Sequence, residues 1–198
     1  QRQQQERRYS YFMKNKLTTY QLAVTALMAA VMCVLGPLSL FVGPVPITLT
    51  NLVIWFGVCL LGAKLGTVSV LVYLLLGAAG LPVFSGYGAG LAKLAGPTGG
   101  FLIGFLVMAY ISGLFVDKFG GRPLFAILGM LLGNAVDYAL GVAWFMFVMK
   151  SSLMTALTAC VFPFAALDAL KIVAAAFLGS AVRARLAKAG LLKRVCRG

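Results

Sequence analysis

Gly80-Leu-Pro-Val-Phe-Ser-Gly-Tyr-Gly-Ala-Gly-Leu-Ala-Lys-Leu-Ala-Gly-Pro-Thr-Gly-Gly-Phe101 interrupts a nearly continuous run of apolar residues with seven glycines, two prolines and one lysine. Glycine lets the backbone take positive φ and lets a ligand come close. Proline fixes φ and ends regular hydrogen bonding. Irregular backbone at membrane depth is tolerated only where protein covers it or where it lines a cavity. The stretch therefore predicts an ordered loop that forms one wall of a binding site.

The blocks on either side of it decide the fold class. The chain is 62% hydrophobic and 11% charged, with mean hydropathy +0.99, against roughly 25% charged residues in soluble domains. An all-α integral membrane protein is expected. Spans of about 17 to 25 apolar residues are predicted near Leu17–Leu35, Ile47–Leu61, Thr67–Ala79, Pro97–Val116, Pro123–Met149 and Ala156–Leu186, the last with a candidate break at Pro163. Breakers separate them: Gly36-Pro37, Gly62 to Gly66, the glycine-rich loop, and Gly120-Gly121. Residues 13–198 thus read as a single domain of six transmembrane helices. Residues 1–12, polar and Gln/Arg-rich ahead of Met13, read as an appended remnant or disordered tail.

Cation placement orients the six spans. With both termini cytoplasmic, the inner segments collect Arg2, Arg7, Arg8, Lys14, Lys16, Lys64, Lys118, Arg122, Arg183, Arg185, Lys188, Lys193, Arg194 and Arg197. The outer loops hold Lys93 and Lys150, and Lys171 falls within a span. Loop 37–46, the glycine-rich loop and the loop near Lys150 then share the outer side and cap an outward-facing pocket. The net charge of +13 is read as anchoring to anionic lipid rather than as nucleic-acid binding.

Few residues are left for chemistry. There is no histidine, and the acids are Glu6, Asp117, Asp137 and Asp168. Cys33, Cys59, Cys160 and Cys196 have no CxxC spacing and are expected as small core residues rather than metal ligands. Asp168 and Lys171 lie three apart inside an apolar span and so share a helix face. Charged groups at that depth face each other or a cavity; a self-neutralising structural pair and recognition of a polar solute both satisfy this. Counted from Ala156, Asp168 lies about 18 Å along the axis. Asn134, Asp137 and Tyr138 form a second polar cluster. Thr48, Thr50 and Asn51 are candidate caps or pocket lining, and Phe84, Tyr87, Trp55 and Trp144 are candidates for ring stacking or interfacial anchoring. Ala26 and Ala30, within a stripe with Ala23 and Ala29, form a small-xxx-small pair suited to close helix packing, within the chain or with a partner.

At this point the motifs resemble a known family. Val45-Pro-Ile-Thr48, Tyr73-x3-Gly77-x2-Gly80-Leu-Pro-Val-Phe84, Gly96-Pro-Thr-Gly-Gly100-x3-Gly104-Phe105, Tyr138-x2-Gly141-x2-Trp144 and Asp168-x2-Lys171 resemble the biotin-transporter substrate-binding family BioY, the S-components of energy-coupling factor (ECF) transporters. The resemblance runs from Leu17 to Gly179, with departures at Thr50 and at Ser85-Gly-Tyr-Gly88. It implies a multi-pass protein of the prokaryotic plasma membrane that captures biotin with high affinity from outside. It further implies docking on a transmembrane coupling subunit and two ATP-hydrolysing subunits. The chain has no GxxxxGK[ST] loop, so ATP hydrolysis is expected in those partners. Biotin is the expected ligand, with no cofactor, metal or nucleic acid. The expected ligand-binding set is Asp168, Lys171, Tyr138, Asn134, Phe84, Tyr87, Thr48 and Trp144, with Ala26 and Ala30 for docking. An S-component for another vitamin, a membrane enzyme and a passive pore are the competing readings.

Overall fold

The computed structural model describes residues 18–41 and 46–191; the expected tail at 1–12 lies outside them. Helix α1 (Thr19–Leu35) opens on a reciprocal cap, in which Thr18 Oγ1 accepts from the Gln21 amide and Gln21 Oε1 accepts from the Thr18 amide. It stops at Gly36-Pro37. The segment expected as a plain loop instead carries a short antiparallel ribbon, β1 (Ser39–Phe41) against β2 (Pro46–Thr48), with Ser39 opposite Thr48.

Helix α2 (Thr50–Ala78) covers two of the expected helices, and the chain reverses within it at Gly62, whose φ of 77° is non-helical. In a straight helix residues eight apart are separated by about 12 Å. Here a Cβ placed on Gly66 would come within 3.2 Å of the Val58 Cα, so the limbs 50–61 and 63–78 lie side by side. Only a residue without a side chain fits Gly62, because its φ is left-handed and a Cβ would run into the Asp117 carboxylate. The turn expected over 62–66 is thus a one-residue reversal.

The glycine-rich stretch is ordered. Phe84 and Gly88 pair in an isolated bridge around a 3-10 turn at Ser85–Tyr87, and helix α3 (Leu91–Ala95) follows. Helix α4 (Gly99–Lys118) begins two residues after the expected Pro97, and α5 (Pro123–Met149) opens on Pro123, a residue suited to the first helical turn. The last expected helix is two: α6 (Leu153–Cys160), capped by the Ser152 hydroxyl, and α7 (Phe162–Lys188), with Pro163 in its first turn. The main core gathers α1, both limbs of α2, α4, α5 and α7 around Trp55, Tyr73, Phe84, Met108 and Met130.

Gly99–Lys118, Pro123–Met149 and Phe162–Lys188 are each long and apolar enough to cross a membrane; Thr50–Ala78 reaches that length only with its two limbs counted together, and Thr19–Leu35 is a shorter apolar helix. At the closed end of the hairpin, Asp117 and Arg183 clamp the reversal. The Ala63 amide donates to Asp117 Oδ2 at 2.8 Å, which caps the second limb. Arg183 donates through one nitrogen to the Cys59 carbonyl at 2.8 Å, which caps the first, and faces Asp117 Oδ1 through the other at 3.5 Å. Lys64, Lys118, Arg122 and the basic end of α7 surround this clamp. The open end of the hairpin carries Thr50 and Tyr73, which join the site described next.

Candidate functional site

A cavity opens at the end of the helices opposite the Arg183 clamp, with an empty volume of about 610 Å³ that includes its mouth. The two limbs of α2 supply Thr50, Asn51 and Tyr73 to one wall, with Pro46 and Thr48 of β2 beside them. Helix α4 supplies Phe101, Leu102 and Phe105, and Ser85 and Thr98 stand at the ends of the glycine-rich stretch. The polar floor comes from Asp137 and Tyr138 of α5 and Asp168 and Lys171 of α7, with Cys160 and Phe164 alongside. One wall is thus polar, with Thr48, Thr50, Asn51 and Tyr73, and the other is apolar and aromatic, with Phe101, Leu102 and Phe105, a combination suited to a small molecule with a polar and an apolar side.

The floor is a continuous polar network. Lys171 Nζ donates to Asp168 Oδ1 at 3.0 Å and to the Thr48 carbonyl at 2.9 Å. The Tyr138 hydroxyl donates to Asp168 Oδ2 at 2.6 Å, a short bond of the charge-assisted kind. Asn134, one turn below, is placed to donate to the Tyr138 hydroxyl. Asp168 therefore has a partner on each oxygen, and its side chain is only 3% exposed. An ammonium has three donors and no acceptor; two of those on Lys171 are taken within the protein, and the third is left for a ligand.

Because α7 begins at Phe162 rather than near Ala156, Asp168 lies about 9 Å along its helix, half the expected depth. Apposition of Asp168 and Lys171 needs no neighbouring helix, since i and i+3 residues share a face. Tyr138 and Thr48 join them only through the tertiary fold.

The remaining predicted residues are spread around the cavity. Asn134 is buried behind Tyr138 rather than on the lining. Phe84 is fully buried beneath the glycine-rich loop, its ring over Gly77 and edge-on to Tyr73 at 5.6 Å. Tyr87 points outward, 66% exposed, from a left-handed backbone. Trp144 donates from Nε1 to the Gly96 carbonyl at 2.9 Å and packs on Gly100. Phe84 and Trp144 hold the loop down from its two ends. Gly96-Pro-Thr-Gly-Gly100 and Trp144 are accordingly parts of one joint between the loop, α4 and α5.

The aromatic faces of the cavity belong to Phe101, Phe105 and Phe164, none of which was singled out from sequence. Phe101 and Phe105 are four apart on α4, a spacing readable in the sequence, whereas the packing of Phe101 over Gly141 comes from the tertiary fold. On α1, Ala29 is buried, whereas Ala23, Ala26 and Ala30 are exposed along with Leu22, Leu27 and Val34. Ala29 thus packs within the chain, whereas the Ala26–Ala30 pair is not covered by the described residues. Cys59 and Cys160 are buried and Cys33 is half-buried, all as free thiols. Among the described residues no cluster could hold a metal.

Comparison with known proteins gives a consistent result. A model of the BioY family matches residues 13–188. The chain is 36% identical over 158 residues to the biotin transporter BioY of Thermotoga maritima, covering 80% of this chain and 92% of that one. It is 38% identical over 177 residues to the biotin transporter BioY of Rhizobium etli, covering 84% and 94%. Its fold is similar to the crystal structure of the S-component for biotin from an ECF-type ABC transporter, with a TM-score of 0.76 and 31% identity over 82% of this chain and 90% of that one.

Proposed function

We propose a function from one premise: the chain belongs to the BioY family. It is a multi-pass membrane transport protein rather than an enzyme, and it acts as the biotin-binding S-component of an ECF transporter. The observation that carries the reading is the Asp168–Lys171–Tyr138 network at the floor of a cavity with one apolar, aromatic wall. Biotin combines an apolar thioether ring with a ureido group, which has two N–H donors and one carbonyl. The free donor of Lys171 suits the carbonyl, and Asp168 has lone pairs left for an N–H. Phe101, Phe105 and Phe164 suit the ring.

In this reading the helices 19–35, 50–61, 63–78, 99–118, 123–149 and 162–188 are the six membrane-crossing rods. The cations around the Arg183 clamp support a cytoplasmic side for that end and for both termini, with the cavity opening outward beneath the glycine-rich loop. The exposed Ala26–Ala30 face of α1 is the docking surface for a transmembrane coupling subunit, which brings two ATPase subunits. Residues 13–198 act as one domain. Thr48 shapes the floor through its carbonyl, while Asn134, Phe84 and Trp144 act by supporting the cavity walls, and Tyr87 stands at the outer surface of the loop.

Isothermal titration of the purified protein against biotin and a panel of other vitamins tests the assignment. Saturable binding of biotin alone is expected. Binding of another vitamin in its place overturns the ligand, and solute flux through the chain without ATP-driven partners favours a pore.

A further inference from the structure

Two carboxylates line the cavity, and they differ in kind. Asp168 has each oxygen engaged, by Lys171 and by Tyr138. Asp137 is 1% exposed, and neither of its oxygens has a hydrogen-bond partner among the described residues. Buried polar groups are nearly always partnered, and leaving one unpartnered is destabilising. The fold nevertheless makes room for this one. Its Oδ1 rests directly on Gly104 of α4, where any Cβ would collide with it. Gly104 therefore serves to accommodate the carboxyl rather than to bend the helix, whose backbone is regular there.

We infer that Asp137 is a ligand-binding residue, the acceptor for the second ureido N–H of biotin. This rests on the biotin reading above and extends it. A cyclic urea presents its two N–H groups on either side of one carbonyl. With the carbonyl on the third donor of Lys171 and one N–H on Asp168, the other N–H needs a separate acceptor. Asp137 is the carboxyl group lining the same cavity with both oxygens unengaged. A carboxyl group retains an acceptor oxygen whether or not it carries a proton, so the assignment does not depend on its ionisation. The site then reads the ureido ring with a divided pair of acids, one anchored by the protein and one completed by the ligand.

The test uses purified wild-type protein, Asp137→Leu, and three ligands: biotin and the two isomers methylated on one or the other ureido nitrogen. Leucine keeps the branch at Cγ, is bulkier than the carboxyl and removes an unpartnered polar group, so the apo protein should melt close to wild type. Biotin affinity should fall roughly 10- to 100-fold. Wild type should discriminate against both methylated isomers, and Asp137→Leu should lose its discrimination against one of them only. Wild-type affinity in Asp137→Leu, or discrimination against both isomers preserved, overturns the inference. If Asp137→Leu does not fold, Asp137→Ala, which also lacks an acceptor, carries the same cycle: its loss for biotin should disappear with one isomer, and equal losses for all three ligands overturn the inference. Failure of the wild type to bind biotin would overturn the ligand assignment instead, so the two failures are distinct.

Discussion

Arg183, on the last helix, donates a 2.8 Å hydrogen bond to the backbone carbonyl of Cys59, 124 residues earlier. That carbonyl ends the first limb of α2 just before the Gly62 reversal and has no helical donor of its own. Replacing Arg183 with leucine should destabilise the protein by about 1–3 kcal/mol, because a buried acceptor loses its donor. Arg183→Lys should recover only part, since one ammonium cannot reproduce the two-pronged geometry. Thermal unfolding in detergent reads both. The Asp117 partner is half open to solvent, with a side chain 42% exposed, so its ion pair contributes little and its cap on Ala63 contributes more.

Gly62→Ala should be more damaging than most glycine substitutions in this chain. The φ of 77° disfavours any side chain, and the added carbon meets the Asp117 carboxylate. Folded yield and melting temperature should both fall, whereas Gly190→Ala, also at positive φ but in open space, should cost less.

At the pocket floor, Asp168→Asn and Lys171→Met are expected to weaken biotin binding by at least about tenfold each. Tyr138→Phe removes one donor to Asp168 and should have a smaller effect, about three- to tenfold. The double variant Tyr138→Phe/Asp168→Asn should lose less than the two single losses combined, as expected for groups in one network. Titration calorimetry decides this; unchanged affinity in both Asp168→Asn and Lys171→Met would sink the assignment of the floor.

On the outside of α1, Ala26→Trp or Ala30→Trp should block assembly with the coupling subunit and leave biotin binding intact, because both side chains are exposed. Co-purification of the complex, together with biotin titration of the isolated chain, separates the outcomes. Loss of biotin binding would argue against a docking role.

The loop from Gly80 to Phe101 should be released by Trp144→Phe, which removes the donor to the Gly96 carbonyl. Limited proteolysis should cut the variant faster within the loop than wild type. Biotin should slow cleavage of both if the loop closes over ligand, and equal rates with and without biotin would show that it does not.

Much of this arrangement was legible in the sequence, for identifiable reasons. Apolar length and breakers gave the helices, and the three-residue spacing placed Asp168 and Lys171 on one face before any tertiary contact was known. The hairpin was legible from Gly62, although not its sharpness, since a run of Gly-Ala-Lys-Leu-Gly allows several turns. Tyr138 stood out as part of a polar cluster and Thr48 as a candidate cap or lining residue, but spacing does not join either to Asp168, because what brings them there is packing between α5, α7 and β2. Phe84 and Trp144 illustrate the converse limit. Each stands in a motif beside the cavity, but its partners are Gly77 and Gly96, and sequence spacing does not tell a wall from its foundation. The split between α6 and α7 hinged on one backbone angle at Val161, φ −118°, and Pro163 signalled only its neighbourhood.

The Gly62 hairpin has a mechanical consequence. Its limbs meet at a single residue at one end of the molecule, while Thr50 and Tyr73 face the cavity at the other. A rod from Gly62 to Thr50 is about 18 Å long at 1.5 Å per residue. Pivoting it by roughly 5° would carry Thr50 about 1.5 Å, the scale of motion that opens or closes a hydrogen bond. Asp117 and Arg183 grip that pivot from α4 and α7. The two limbs have the geometry of tongs, in which a small displacement near the basic end of the bundle would become a larger one, at lower force, at the jaws.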